Sequence, residues 1–196
     1  MIQEILNRRS IRKYKSESVP KQIIEEIIKA GTLAPSSKNR QPWNFIIVSG
    51  KSKLEVLDVM ERGIKRESEL PLLHESAKYL PGAEYTLRIM RQAPVIIFIV
   101  NPLGVALDKY LNAEERIYEI CNAQSVGAAI ENMTLTATEL GLGSLWICDT
   151  YFAYKELCGW LNKEGELLAA LVIGYADEMP SLRPRKNIQD IAEWRE

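Results

Sequence analysis

Histidine is almost missing from this chain: His74 is the only one. A Ser-His-Asp triad or a multi-histidine metal centre therefore has little to build on, and no metal site is expected. Cysteine is scarce too. Cys121, Cys148 and Cys158 are odd in number, match no disulfide framework and form no CxxC pair, so a reducing, cytoplasmic compartment is expected. The glycine-rich phosphate loops are absent: there is no P-loop, and "GLGS" (141–144) supplies only the first two glycines of GxGxxG. No apolar run approaches the ~18 residues that cross a bilayer. "APVIIFIV" (93–100) is too short and reads as a buried strand. The N-terminus is polar from Gln3 onward, unlike a secretory signal. Excess charge is missing as well, with 25 basic against 26 acidic residues. That balance argues against a general nucleic-acid binder. With so few catalytic side chains, the chemistry is expected to belong to a bound cofactor.

What is present organises into one domain over 1–196, a usual length for a single core. Ile2, Ile5 and Leu6 mark a short helix over 2–8. Pro20 opens a second, carried by Ile23, Ile24, Ile27 and Ile28 and closed by Gly31. "APSSKNRQP" (34–42) is a loop by composition. A strand over 43–49 and a helix over 51–65 follow. Segment 66–86 has two prolines and no clear period, and reads as a candidate lid or insertion. Helix resumes near Glu84, a strand fills 95–100, and the longest helical pattern covers 114–140. The middle of that pattern, with Ala123, Ser125, Gly127, Ala128 and Ala129, is small enough for another backbone to approach, in the core or at a subunit interface. A strand (143–148), a short helix (153–161), a buried strand (167–176) and an extended tail complete the chain. Helices and strands mix without strict alternation, so the expected class is α+β, layered.

Three polar segments stand out. Arg8, Arg9, Ser10 and Arg12 form a basic cluster in an otherwise neutral chain. Alone it fits a solvated run, a nucleic-acid arm or a phosphate pocket, because a guanidinium fork can grip phosphate oxygens in pairs. "RPRK" (183–186) is a second basic group; in extended chain Arg183 and Arg185 point the same way, although a solvated tail reads identically. Ser36, Ser37, Asn39 and Gln41 offer donors and acceptors in the loop after Pro35, suited to a planar polar heterocycle or to a plain turn.

"RRSIR" (8–12), "PSSKNRQPW" (35–43), "GLGSLWI" (141–147) and "RPR" (183–185), in that order, resemble the FMN-dependent nitroreductase family. The resemblance covers nearly the whole chain, and "PSSKNRQPW" is its most specific piece. It implies a layered sandwich, a central mixed or antiparallel sheet flanked by helices, and an intertwined homodimer with FMN at the subunit interface. By resemblance Arg8, Arg12, Arg183 and Arg185, with Ser10 and the neighbouring Arg9, hold the FMN phosphate. The Pro35, Ser36, Ser37, Asn39 and Gln41 loop arrives from the other subunit. Trp146, Ile147 and Cys148 lie along the ring, and a backbone N–H at Cys148–Asp149 serves the flavin N5, so no side chain is assigned as catalytic. Some relatives carry Glu-Gly at that turn, and Asp149 here departs from them. Arg88, ahead of Arg91, is the expected cation near N1 and O2, with Thr86 in place of an Asn. Trp43 reads as an anchor for its strand, and Cys148 as a structural cysteine. The implied activity is ping-pong: hydride from NADH or NADPH passes through FMN to nitroaromatics, quinones or similar electrophiles. A dehalogenase or enoate-type specialist, or a flavin sensor without turnover, are the alternatives.

Overall fold

The computed structural model describes residues 1–72 and 75–196, so the lone His74 lies outside the described residues. The elements are α1 (Gln3–Asn7), α2 (Lys21–Thr32), β1 (Asn44–Ser49), α3 (Gly50–Glu69), α4 (Leu80–Gln92), β2 (Val95–Asn101), α5 (Ala113–Glu139), β3 (Gly143–Ile147), α6 (Tyr154–Leu161) and β4 (Glu166–Gly174). Short 3₁₀ turns cover Ser37–Asn39, Ser76–Tyr79, Asp149–Ala153 and Ile188–Asp190.

One four-stranded sheet, in the order β1-β2-β4-β3, is antiparallel at every pairing. Its central strand β2 is buried at every residue, as an unbroken apolar run demands. Side chains alternate between faces. Ile96, Phe98, Ala170 and Val172 point into a core shared with α3, α4 and α6. Ile97, Ile99, Leu171 and Ile173 point into a second core shared with α2 and α5. The result is three layers, helix–sheet–helix. Full burial of a side chain such as Phe98 or Ile97 contributes about 1.5–3 kcal/mol. Helix α5 lays Asn122, Val126, Ile130, Met133 and Ala137 along its buried face, at helical spacing, and is closed at its start by a reciprocal Asn112–Glu115 capping box.

Several boundaries differ from the sequence reading. Helix α3 continues to Glu69 because Arg66 reaches Glu156 on α6 and bonds Glu67, polar contacts that leave no apolar period. Helix α4 starts at Leu80 with Pro81 in its first turn, where no amide donor is needed. Leu72 and Leu80 pack on the first core, and Ser76 and Ala83 are buried. The described part of 66–86 is thus largely helical and packs in part on the first core. Strand β1 starts at Asn44, and Trp43 packs beside it on the second core as an anchor. Strand β3 stops at Ile147, so Cys148 belongs to the following turn.

The two ends of the chain meet. Residues 8–15 run along the outer edge of β3: Ser10 bridges Ser144 in parallel, and the Ile11 N–H donates to the Ser144 carbonyl at 3.0 Å. Ile11 lies flat on Gly143, where an added Cβ would come within 2.7 Å of it. Beyond, Tyr14 bridges Ala176, the Lys15 N–H donates to Tyr175 O at 2.9 Å, and the Asp177 N–H to Lys13 O at 2.9 Å.

Candidate functional site

That pairing delivers the two basic groups to one place. Arg8, Arg9, Ser10 and Arg12 from the start of the chain, and Pro180, Ser181, Leu182, Arg183 and Arg185 from its end, line a cleft of about 290 Å³. The Arg12 N–H donates to the Glu178 carboxylate, locking the two segments in register. Five guanidinium groups converge, and no carboxylate is among the described lining residues. Arg8 has a carboxylate partner behind it, Glu131 on α5, at 3.6 Å. Among the described residues the guanidinium groups of Arg9, Arg12 and Arg185 bond main-chain carbonyls: Arg9 to Leu6 O at 2.7 Å, Arg12 to Ser10 O at 3.1 Å, Arg185 to Arg183 O at 3.3 Å. Such convergent cations call for a multiply charged anion, and their forks suit phosphate.

The polar loop 35–41 is built under strain. Lys38, Asn39 and Gln41 hold φ values of 53°, 53° and 51° without being glycine. Residues in this region cost of order 1–3 kcal/mol each and gather at functional sites. Three contacts hold them: Gln41 N–H to Ser36 Oγ at 3.0 Å, Ser37 N–H to Ser125 Oγ at 3.2 Å, and Arg40 over the Tyr118 ring at 4.2 Å. The loop is thereby fixed to α5 at Tyr118 and Ser125, whereas Arg8 meets α5 at Glu131. These attachment points are roughly 9 to 20 Å apart along the helix, at 1.5 Å per residue. Within one chain Pro35, Ser36, Ser37, Asn39 and Gln41 do not line the arginine cleft.

Strand β3 leads from the cleft to the opposite end of the sheet. Ser144 sits beside Ser10, and Cys148 follows roughly 13 Å along, at about 3.3 Å per residue. Trp146 is 41% exposed beside Gly127 of α5, Ile147 is buried into the first core, and Cys148 is exposed. Desolvation of its sulfur and the adjacent Asp149 carboxylate push its thiol pKa up, so it is no ready nucleophile. Asp149 accepts a hydrogen bond from Thr86 Oγ1, a long-range contact that singles out Thr86 over its neighbours. Arg88 does not join them. It stands over Tyr85 at 5.6 Å and, with Arg91, lines a different cleft between α3 and α4. Two residues along a helix turn a side chain by about 200°, so Thr86 and Arg88 face opposite ways. Glu131 and Glu178, which hold the site segments, were not singled out in the sequence, and Ser125 was read only as a small residue of its helix; each acts across a long chain separation with no local motif.

Fold and cleft together define a layered α+β protein with an arginine-lined cleft where residues 8–12 meet residues 180–185, and a partly exposed strand end beyond it. The chain belongs to the Nitroreductase family, whose model matches residues 5–175. It is 27% identical over 188 residues to a protein of Bacillus subtilis (strain 168) with the provisional name NAD(P)H nitroreductase YfhC, covering 95% of this chain and 89% of that one. It is 26% identical over 184 residues to an iodotyrosine deiodinase of Thermotoga neapolitana, covering 92% and 91%. A provisionally named nitroreductase of Desulfovibrio desulfuricans, solved in complex with FMN, superposes with a TM-score of 0.73 at 26% identity, covering 98% of this chain and 95% of that one. No described helix is long and apolar enough to cross a membrane.

Proposed function

We propose that this protein is an FMN-dependent oxidoreductase that draws electrons from NADH or NADPH and passes them to flat electrophiles such as nitroaromatics and quinones. The observation that carries the reading is the arginine cleft, which unites residues 8–12 with residues 183–185 and contains no carboxylate among its described lining residues. Its donor set fits a phosphate monoester. Arg8, Arg9, Arg12, Arg183, Arg185 and Ser10 would hold that phosphate, and the exposed stretch from Trp146 to Asp149 would lie along the ring. Bound FMN supplies hydride acceptance and delivery. The chain's own part is to neutralise the phosphate, orient the ring and donate a main-chain hydrogen bond at Cys148–Asp149.

The working unit is a homodimer. Loop 35–41 and the cleft stand apart on α5 in one chain, so a second copy would supply the loop to complete the site. Apolar surface is available for that copy: Ile2 just before α1 and Ile5 on it, Ile117 and Ile120 on α5, and Ile191 and Trp194 in the tail are all exposed. Three unpaired cysteines fit a reducing compartment, which we take to be the cytoplasm. Reductive dehalogenation by the same cofactor is a second reading, motivated by the deiodinase relative. Titrating purified protein with FMN tests the proposal: a yellow protein saturating at one FMN per chain is expected, and a protein that takes up none refutes it. Turnover with a halogenated phenol but not with nitroaromatics would select the second reading.

A further inference from the structure

Loop 35–41 holds a backbone that its residue types do not favour. Lys38, Asn39 and Gln41 stand at φ 53°, 53° and 51°, where an L side chain crowds the following carbonyl oxygen and only glycine settles freely. Lys38 does so in the middle of the turn Ser37–Asn39. The loop's internal bonds are short-range: Asn39 N–H to Ser36 O at 2.9 Å, Arg40 N–H to Ser37 O at 3.1 Å, and Gln41 N–H to Ser36 Oγ at 3.0 Å. Two contacts tie it to α5. The Ser37 N–H donates to Ser125 Oγ at 3.2 Å, and that hydroxyl donates to Cys121 O at 2.7 Å. The Arg40 guanidinium lies 4.2 Å over the Tyr118 ring, and the Tyr118 hydroxyl donates to Glu114 Oε1 at 3.0 Å. Arg40 is half-buried in this contact, while Asn39 and Gln41 on either side of it are exposed.

We propose that Tyr118 is a positioning residue of the candidate site: its ring clamps Arg40 and, with Ser125, holds loop 35–41 in the left-handed form that presents Asn39 and Gln41. The inference rests on the FMN reading above, in which those two side chains serve the ring of a flavin bound to the partner copy. Without the clamp, the strained residues relax toward ordinary backbone and the two polar side chains lose their alignment. Part of the flavin's binding energy is then consumed in rebuilding the loop. A cation over an aromatic face is held more strongly as the pair is desolvated, and for this half-buried pair the loss corresponds to about 5- to 10-fold in the ratio of closed to open loop. Two features distinguish this role from general support of the fold. The loop serves the ring, so losing the clamp weakens FMN and riboflavin alike, whereas the arginines of the cleft act on the phosphate alone. The clamp also works against backbone strain, so relieving the strain at Lys38, whose side chain is exposed, substitutes for it.

Hydrogen exchange of the peptide spanning 35–43, in the flavin-free full-length protein, reads the clamp directly; titration with FMN and with riboflavin reads its consequence. Tyr118→Leu should speed exchange of that peptide about 5- to 10-fold, leave the β2 and β4 peptides protected, and weaken both flavins by a similar factor. Tyr118→Phe keeps the ring and loses only the bond to Glu114, so it should match the wild type in both measurements. Lys38→Gly added to Tyr118→Leu should recover most of the loss, about 5-fold, because glycine adopts the left-handed region freely. Unchanged exchange in Tyr118→Leu overturns the proposal. So does a Tyr118→Phe protein as impaired as Tyr118→Leu, a double variant no better than the single one, or a loss confined to FMN. If exchange follows the expected pattern in a protein that binds neither flavin, the FMN reading is refuted and the positioning role falls with it.

Discussion

Replacing Arg185 with alanine separates phosphate binding from every other role of the tail. Arg185 is exposed in the single chain, and its guanidinium makes only two long bonds to main-chain carbonyls, at 3.3 and 3.4 Å. Its removal leaves no buried group unpaired, so the fold should be unaffected. A hydrogen bond to a charged group contributes about 1.5–3 kcal/mol, and solvent screening at an exposed position favours the lower figure. FMN affinity should then fall by roughly 10-fold, and by no more than about 150-fold, since ~1.4 kcal/mol is a factor of ten. Riboflavin, which has the same ring and no phosphate, should bind the variant and the wild type alike. The assay is fluorescence titration of apo-protein with each flavin, repeated at two salt concentrations; the wild-type preference for FMN should shrink as salt screens the cleft. Arg8→Ala and Arg12→Ala should show the same discrimination, with effects that do not add because they share one ligand. Equal losses for FMN and riboflavin would refute the assignment and return both basic groups to a solvated surface.

Three further outcomes are expected. Mixed dimers of Arg8→Ala and Asn39→Ala chains should regain one intact site each, and flavin content that stays at the level of the single variants would rule out a site shared between subunits. Asp149→Asn should raise kcat/KM for anionic nitroaromatics about 5-fold relative to neutral ones, because a carboxylate near a bound anion costs about 1 kcal/mol; an unchanged ratio would place Asp149 away from the acceptor. Arg66→Ala should destabilise the fold by about 2 kcal/mol in chemical denaturation, since Arg66 bonds both Glu156, at 3.0 Å, and the buried Glu67. Arg66 holds the Glu156 pKa below its ordinary value, so this contribution is present at neutral pH and is lost as pH falls below the usual carboxylate range; a variant whose deficit persists unchanged in acid would contradict the pairing.

The parts of the fold legible in the sequence are those with a local period. "VIIFIV", short and rich in β-branched residues, reads as a buried strand, and the spacing of Ile23, Ile24, Ile27 and Ile28 favours one face of a helix. The continuation of α3 through Arg66 and Glu67 was hidden because its contacts are ionic. Both basic groups of the site were visible as residue types, but their meeting was not. It depends on 12–15 pairing with 175–178, and main-chain hydrogen bonds between the two ends of a chain leave no mark in composition. Thr86 and Arg88 show the same limit at the scale of one helical turn: both are polar residues of α4, and only the position of Asp149 shows which of them faces the turn after β3. The strain at Lys38, Asn39 and Gln41 was equally silent, since none is a glycine.

Anaerobic mixing of the FMN-loaded protein with NADH or NADPH, followed by a nitroaromatic or quinone, tests the central claim most directly. Flavin absorbance should bleach in proportion to the bound FMN with at least one nucleotide and return when the acceptor is added, in two separable steps. A flavin that stays oxidised with both nucleotides, in a protein that nonetheless binds one FMN per chain, would contradict the claim and leave a flavin carrier or sensor in place of an oxidoreductase.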